Sequence, residues 1–266
     1  MHHQVLAIVK SHGAEIPGYY RLRLEAPAVA NEARPGQFVM VRCSHTLDPL
    51  LRRPLTVCAL YPESGQLELL YKVVGKGTRL LSEIPVGARV DVVGPLGNGY
   101  TLLPEAQTIA VVGRGVGVAS VFGVAQAARA EGRRVFAFVS ARTRDLLLRV
   151  KSLREMGCCV EVSTDDGSAG HCGLVTDLLR PKVGPEGIGE VFVCGSNRLT
   201  RAVAEVALEN GISAQVSLEA HMACGVHACM GCVRLVGISG NQSYKKVCED
   251  GPVFWVDEVV ELTNAR

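Results

Sequence analysis

The chain carries almost no net charge: 28 Lys and Arg stand against 26 Asp and Glu, leaving +2 over 266 residues. That excess is too small for a nucleic-acid footprint, and no run of Lys or Arg concentrates it. No apolar run approaches the ~18 residues that a membrane span requires. There is no internal repeat and no low-complexity segment. The first residues, MHHQVLAIVK, lack an apolar leader with a cleavage site and read as a strand. Disorder is excluded by composition, which is 48% apolar and 20% charged. The missing leader predicts a cytoplasmic, reducing setting, where thiols stay free or bind metal.

Residues 1–102 alternate short β-like runs with turns. The runs are Val5–Val9, Tyr19–Leu24, Phe38–Arg42, Leu55–Leu60, Leu67–Val73 and Arg89–Val93, with one helix, Thr78–Ile84. Such spacing predicts a small antiparallel barrel. Residues 103–216 change grammar. Strands Thr108–Val112, Val135–Ser140, Cys159–Ser163 and Val191–Cys194 alternate with helices Ala119–Ala130, Leu146–Met156, Val175–Leu179 and Arg198–Asn210. That order predicts a doubly wound parallel sheet. Residues 217–266 are irregular and rich in cysteine, and end in a tail over Val253–Leu262. The fold expected is a β-barrel, then an α/β domain, then a small metal-binding module.

Ten cysteines are present, and four crowd together. Cys224, Cys229 and Cys232 follow a C-x4-C-x2-C spacing, and Cys248 comes after fifteen more residues. This is the plant-type 2Fe–2S ligand spacing, in which one tight loop brings three thiolates to two irons and a separate turn brings the fourth. Structural zinc is the alternative, but its modules show two C-x2–4-C pairs, and only Cys229 and Cys232 form one here. A Rieske centre would need two His ligands, and His221 and His227 lack the pair spacing. Cys43, Cys58, Cys158, Cys159, Cys172 and Cys194 are expected to be small buried apolar residues.

Three further segments carry chemistry. Gly113, Gly115 and Gly117 form a G-x-G-x-G turn between a strand and a helix, a spacing suited to a dinucleotide pyrophosphate. The acid expected at the end of the next strand is absent and Arg142 stands there, which favours a 2′-phosphate. Asp165 and Asp166 after the third strand favour free ribose hydroxyls. NAD and NADP both remain open at this point. Arg53-Pro54-Leu55-Thr56 places a cation and a hydroxyl on an apolar strand, suited to a diphosphate and a flavin ring. Gly75-Lys76-Gly77-Thr78 opens a helix as a phosphate cradle would. Singly, each also fits an ordinary strand end or glycine turn.

The assembly resembles the ferredoxin–NADP reductase superfamily. Within it, the chain is similar to the electron-transfer subunits of two-subunit, NAD-linked dihydroorotate dehydrogenases. The carriers are Asp48 through Thr56, Val74 through Thr78, Gly94 through Gly97, Thr164 through Ser168, Val175 through Asp177, Met222 through Cys232 and Tyr244 through Phe254. The resemblance implies that Arg53, Pro54, Leu55, Thr56, Leu70, Tyr71, Lys72, Gly77 and Thr78 hold FAD. It implies that Gly113, Gly115, Gly117, Cys194 and Gly195 border NAD, and that Cys224, Cys229, Cys232 and Cys248 ligate a 2Fe–2S cluster. No side chain of this chain is implied as a catalytic acid or base. The implied role is electron transfer between NAD(H) and a flavin-containing catalytic subunit, in a heterotetramer of two chains each that serves pyrimidine biosynthesis. A reductase subunit for another oxidoreductase, using NAD(H) or NADP(H), is the rival within the superfamily. A redox sensor or zinc-stabilised binding module is the rival outside it. Three positions depart from the superfamily pattern: Leu55 stands near the ring where an aromatic is usual, Arg114 interrupts the glycine turn, and His227 replaces a small residue.

Overall fold

A computed structural model describes residues 2–237 and 242–259. Six strands close an antiparallel barrel: β1 (His3–Ile16), β2 (Tyr19–Glu25), β3 (Phe38–Val41), β4 (Arg53–Tyr61), β5 (Gln66–Lys72) and β6 (Arg89–Leu96), in the order β1-β2-β5-β4-β3-β6. The barrel interior is filled by alternate residues such as Val9, Leu22, Leu24, Val39, Val41, Leu67, Leu69 and Val92, all buried. Two short helices serve it. The first, α1 (Pro27–Ala30), lies between β2 and β3, and α2 (Lys76–Ser82) opens just after β5.

The second unit is a seven-stranded sheet. Its strands are β7 (Thr108–Arg114), β8 (Arg134–Ala141), β9 (Cys159–Thr164), β10 (His171–Cys172), β11 (Glu190–Cys194) and β12 (Ser213–Ser217), all parallel. Helices α3 (Val118–Ala130), α4 (Val150–Glu155), α5 (Thr176–Leu179) and α6 (Asn197–Glu209) connect them. The cysteine-rich region contributes a hairpin, β13 (Val233–Val236) with β14 (Ser243–Lys246), and a last strand, β15 (Val253–Trp255). β15 pairs antiparallel with β12 and completes the order β10-β9-β8-β7-β11-β12-β15. The strand order reverses beside β7, where α3 leads to β8 on one side and β11 lies on the other. This is the crevice at which open α/β sheets bind ligands.

The units are tied at several points. Gln126 on α3 exchanges two hydrogen bonds with the Leu60 backbone on β4, at 3.1 and 3.0 Å. Arg149 is buried at the interface, 3.1 Å from Glu68 of β5 and 3.7 Å from Glu15 of β1, with its guanidinium 4.0 Å over the Phe122 ring. The connection between barrel and sheet is pinned as well. Gln215 donates to Thr101 O at 2.6 Å and to Glu190 at 2.8 Å, and accepts from Thr101 N at 3.0 Å.

Four expectations differ from the structure. The helix read over Leu146–Met156 starts only at Val150 and ends at Glu155, because Leu147 is extended and Arg149, just before the first turn, sits in the left-handed region at φ 61°. β1 runs to Ile16 rather than Val9, because β2 pairs with its polar half. Cys159 and Cys172 are exposed rather than buried, at the start of β9 and on the edge strand β10. The helix read over Thr78–Ile84 runs from Lys76 to Ser82. The tail Val253–Leu262 opens with β15, and its residues 260–262 lie outside the described residues.

Candidate functional site

A cavity of about 570 Å³ opens between the barrel and the carboxyl ends of the sheet strands, within the usual range for ligand sites. Its barrel wall comes from the start of β4, the end of β5 and the turn into α2. Arg53, Pro54, Leu55, Thr56, Leu70, Tyr71, Lys72 and Thr78 all line it. The sheet wall includes Gly117 and Cys194. Gly77, Gly113, Gly115 and Gly195 do not line the cavity.

Gly77 makes room for Arg53. A Cβ there would lie 2.8 Å from Arg53 Nε, so only glycine lets the guanidinium cross the start of α2. Arg53 is anchored by a 2.6 Å bond to Leu51 O, which leaves the rest of its fork facing the cavity wall. The Thr78 hydroxyl accepts from Val74 N at 2.9 Å and Gly75 N at 3.2 Å, and so holds the turn itself rather than facing a ligand. Tyr71 likewise turns its hydroxyl away, 2.8 Å from His12 Nε2, and stacks on Tyr20. Arginine, threonine and glycine at the mouth of a barrel, beside apolar Leu55 and Leu70, fit a flavin dinucleotide with its diphosphate at α2.

The glycine turn meets β11 directly. A Cβ on Gly117 would lie 2.5 Å from Cys194 O, so glycine is required for the turn to close on that strand. Cys194 is buried, and burial pushes its thiol up to about 12; the Glu219 charge adds to this, while the hydroxyls of Ser217 and Ser120 oppose it. Arg114 leaves the turn outward and pairs with Asp165 at 2.7 Å. Arg142 is exposed on the loop after β8.

The cysteines gather beside this cavity. Cys232 and Cys248 are buried with their sulfurs 3.3 Å apart, and the Cys229 amide donates to Cys224 Sγ at 3.3 Å. Among the described residues, no three His, Cys, Asp or Glu side chains converge to hold one ion. Two pairs, each suited to its own iron, fit the 2Fe–2S donor set. Partial burial raises the Cys224 thiol, but amides of Cys229, Val226 and Ala228 outweigh it and bring the value down to about 7. Backbone N–H groups aimed at one sulfur are what a cluster thiolate requires. Cys248 is instead pushed up to about 12, first by burial and then by its neighbour Cys232. His227 takes a left-handed φ of 70°, a conformation glycine would adopt freely. Its carbonyl accepts from Lys246 Nζ at 3.2 Å.

Barrel and cluster loop share one core. Phe38, Met40 and Leu96 pack with Cys232, Val247, Cys248 and Phe254. Asn98, just after β6, donates to Glu249 O at 3.1 Å and Asp250 O at 3.0 Å, beside the fourth cysteine. Met222 lines the cavity, and Cys224 follows two residues later, no more than about 7.6 Å away in Cα steps. Sequence reading missed Met222, Ser120, Ser217, Glu219 and Pro252 as cavity walls. No local motif marks them, because each reaches the cavity through sheet topology.

Residues 14–100 match the family described as the oxidoreductase FAD-binding domain, and residues 219–260 the iron-sulfur cluster binding domain of dihydroorotate dehydrogenase B. Over 238 residues, 90% of this chain and 91% of the relative, the sequence is 37% identical to a dihydroorotate dehydrogenase B (NAD(+)) electron transfer subunit of Desulforamulus reducens. The counterpart from Bacillus caldolyticus is 38% identical over 244 residues, 91% of this chain and 92% of the relative. Among solved structures, an NADH-dependent reduced ferredoxin-NADP oxidoreductase, studied for flavin-based electron bifurcation, superposes with a TM-score of 0.82 at 34% identity. The match covers 96% of this chain and 90% of that one. A ferredoxin reductase of carbazole 1,9a-dioxygenase shares the fold, with a TM-score of 0.66 at 21% identity over 79% of this chain and 67% of that one.

Proposed function

The chain belongs to the family of dihydroorotate dehydrogenase B electron transfer subunits, and from that membership we propose that it conducts electrons between NAD(H) and a partner catalytic subunit by way of FAD and a 2Fe–2S cluster. The observation that carries this reading is adjacency: one cavity is walled by flavin-type residues, by the glycine turn and by Met222, two residues from the first cluster cysteine. A flavin supplies the conversion between hydride transfer and single-electron transfer when bound.

The residues divide the work. Arg53, at the start of β4, would neutralise the diphosphate, with the amides at the start of α2 beside it. Thr56 would donate to the ring edge, and Leu55 and Leu70 would keep water from its faces. Gly117 and the buried Cys194 would seat the nicotinamide, with Gly113, Gly115 and Gly195 allowing the close approach of backbone. The Arg114–Asp165 pair places a carboxylate beyond the turn, at the carboxyl end of β9, where it would accept ribose hydroxyls and favour NAD(H). Cys224, Cys229, Cys232 and Cys248 would ligate the cluster. No helix among the described residues is long and apolar enough to cross a membrane. A cytoplasmic heterotetramer of two chains of each kind, acting in pyrimidine biosynthesis, completes the reading.

The likeness to the reduced ferredoxin-NADP oxidoreductase favours a second reading: the same conduit serving a different oxidoreductase. Two measurements separate the readings and test the conduit. The chain purified anaerobically should show flavin bands over broad iron–sulfur absorption, bleached by NADH in preference to NADPH. Co-purification with a catalytic chain that oxidises dihydroorotate decides the partner. A colourless protein with stoichiometric zinc would overturn both readings.

A further inference from the structure

The proton balance of the conduit points to Glu219. Making NADH from NAD+ takes two electrons and one proton. On the proposed function, which this inference rests on, the electrons reach the cavity singly from the cluster and bring no proton with them. One proton must therefore enter for each hydride that leaves, and one must depart when the flow reverses.

Few groups in the cavity wall can carry it. Arg53 and Arg234 carry guanidiniums, which serve as donors only, and the Lys72 ammonium lies 5.5 Å from the centre of the Tyr19 ring. Tyr71 turns its hydroxyl to His12 inside the barrel. The Cys194 thiol is buried at the back of the cavity and ties to Ser217 and Ser120. His221 lines the cavity and is exposed as Glu219 is, but it is not among the groups whose charge acts on Cys194 at the nicotinamide end. Glu219 also lines the cavity, and its charge acts on Cys194, which places it at the nicotinamide end, where Gly117 closes on β11. The side chain is open to solvent at the mouth, so it can exchange protons with water. Only its backbone is engaged: Arg234 donates to the Glu219 carbonyl oxygen at 3.2 Å, and among the described residues the carboxyl has no hydrogen-bond or ion-pair partner. Crowding by the cavity wall already pushes this carboxyl above its ordinary value. A bound ring and nicotinamide would remove more water and push it further the same way.

We propose that the Glu219 carboxyl passes this proton, giving H+ to the cavity as electrons arrive for NAD+, accepting it when NADH is the donor, and exchanging it with water at the mouth. No other bond is made or broken at the residue: the carboxylic acid becomes carboxylate and is protonated again.

Infrared difference spectroscopy of the FAD- and cluster-loaded complex, oxidised against reduced, tests this directly. The wild type should show a carboxyl C=O band that shifts in D2O. The band should vanish in E219Q, move in E219D and persist in H221N. Passage of electrons from NADH to the cluster should slow on the order of 100-fold in E219Q, with NADH affinity unchanged. E219D, which keeps the acid, should recover much of that rate and guards against a folding defect in E219Q. A band that survives in E219Q, or a wild type that NADH bleaches without showing any such band, overturns the assignment. A wild type that NADH fails to bleach overturns the conduit reading, and this one with it.

Discussion

Cys232 and Cys248 are separated by fifteen intervening residues yet bring their sulfurs to 3.3 Å, both buried. Both sit in the core that Phe38, Met40 and Leu96 share with the cysteine segment, and on the proposed function a 2Fe–2S cluster accounts for the close approach of the two thiols. Replacing Cys232 or Cys248 with serine should abolish the iron–sulfur absorption and leave the flavin bands, because the core that fills the barrel interior contains neither cysteine, and the two pack only against the outer side of β3 and β6. Iron content measured beside the visible spectrum checks it. Asp91 offers a residue-scale test of charge. Burial works against its carboxylate, but the bond from Arg52 at 2.6 Å and that cation's field prevail and hold it below the ordinary range. A lowered value means stability that is present above the unfolded value near 4 and lost as pH falls through the folded one. Asp91→Asn should therefore cost about 1 kcal/mol at neutral pH, with the gap to wild type closing in acid, as followed by urea unfolding at several pH values.

At the scale of elements, Arg149 has two effects. Its left-handed backbone caps the start of α4, and its guanidinium reaches back to Glu68 and Glu15 on two barrel strands. Arg149→Leu would leave Glu68, only 5% exposed, relying on Arg21 at 4.0 Å. A loss of about 3–5 kcal/mol is expected, read by chemical unfolding, and Arg149→Lys should recover only part of it. The barrel strands and most of the α/β elements were legible because apolar alternation and glycine turns delimit them. β12 and β15 were not. Gln215 and Ser217 put polar residues at buried positions of β12, where they serve the connection to the barrel and the Cys194 site, and β15 spans only three residues. The grouping of Cys224, Cys229, Cys232 and Cys248 could be read from spacing, since three of them lie within one short loop, and the structure brings Cys248 to 3.3 Å from Cys232. The cavity wall at Ser120, Ser217 and Glu219 is assembled by strands that are distant in sequence, and no spacing rule records it. The left-handed Arg149, by contrast, has no sequence signal at all.

Over the whole molecule, the barrel reaches past the sheet to hold the cluster segment. Asn98 donates twice to carbonyls next to Cys248. Losing both bonds removes about 1–2 kcal/mol of restraint on that segment. Asn98→Ala should therefore shorten the lifetime of the cluster in air severalfold while the flavin stays bound, as absorbance decay would show.

The Gln215 clasp on Thr101, backed by Glu190, has a kinetic consequence. A reductase whose units swing apart to deliver electrons is slowed by thick solvents such as glycerol or sucrose solutions. Here the connecting segment is bonded to buried residues of β11 and β12 through Gln215 and Glu190, with Arg149 and Gln126 closing the other side. Electron passage from NADH to the cluster should keep the same rate as solvent viscosity rises, and only arrival of the nucleotide should slow.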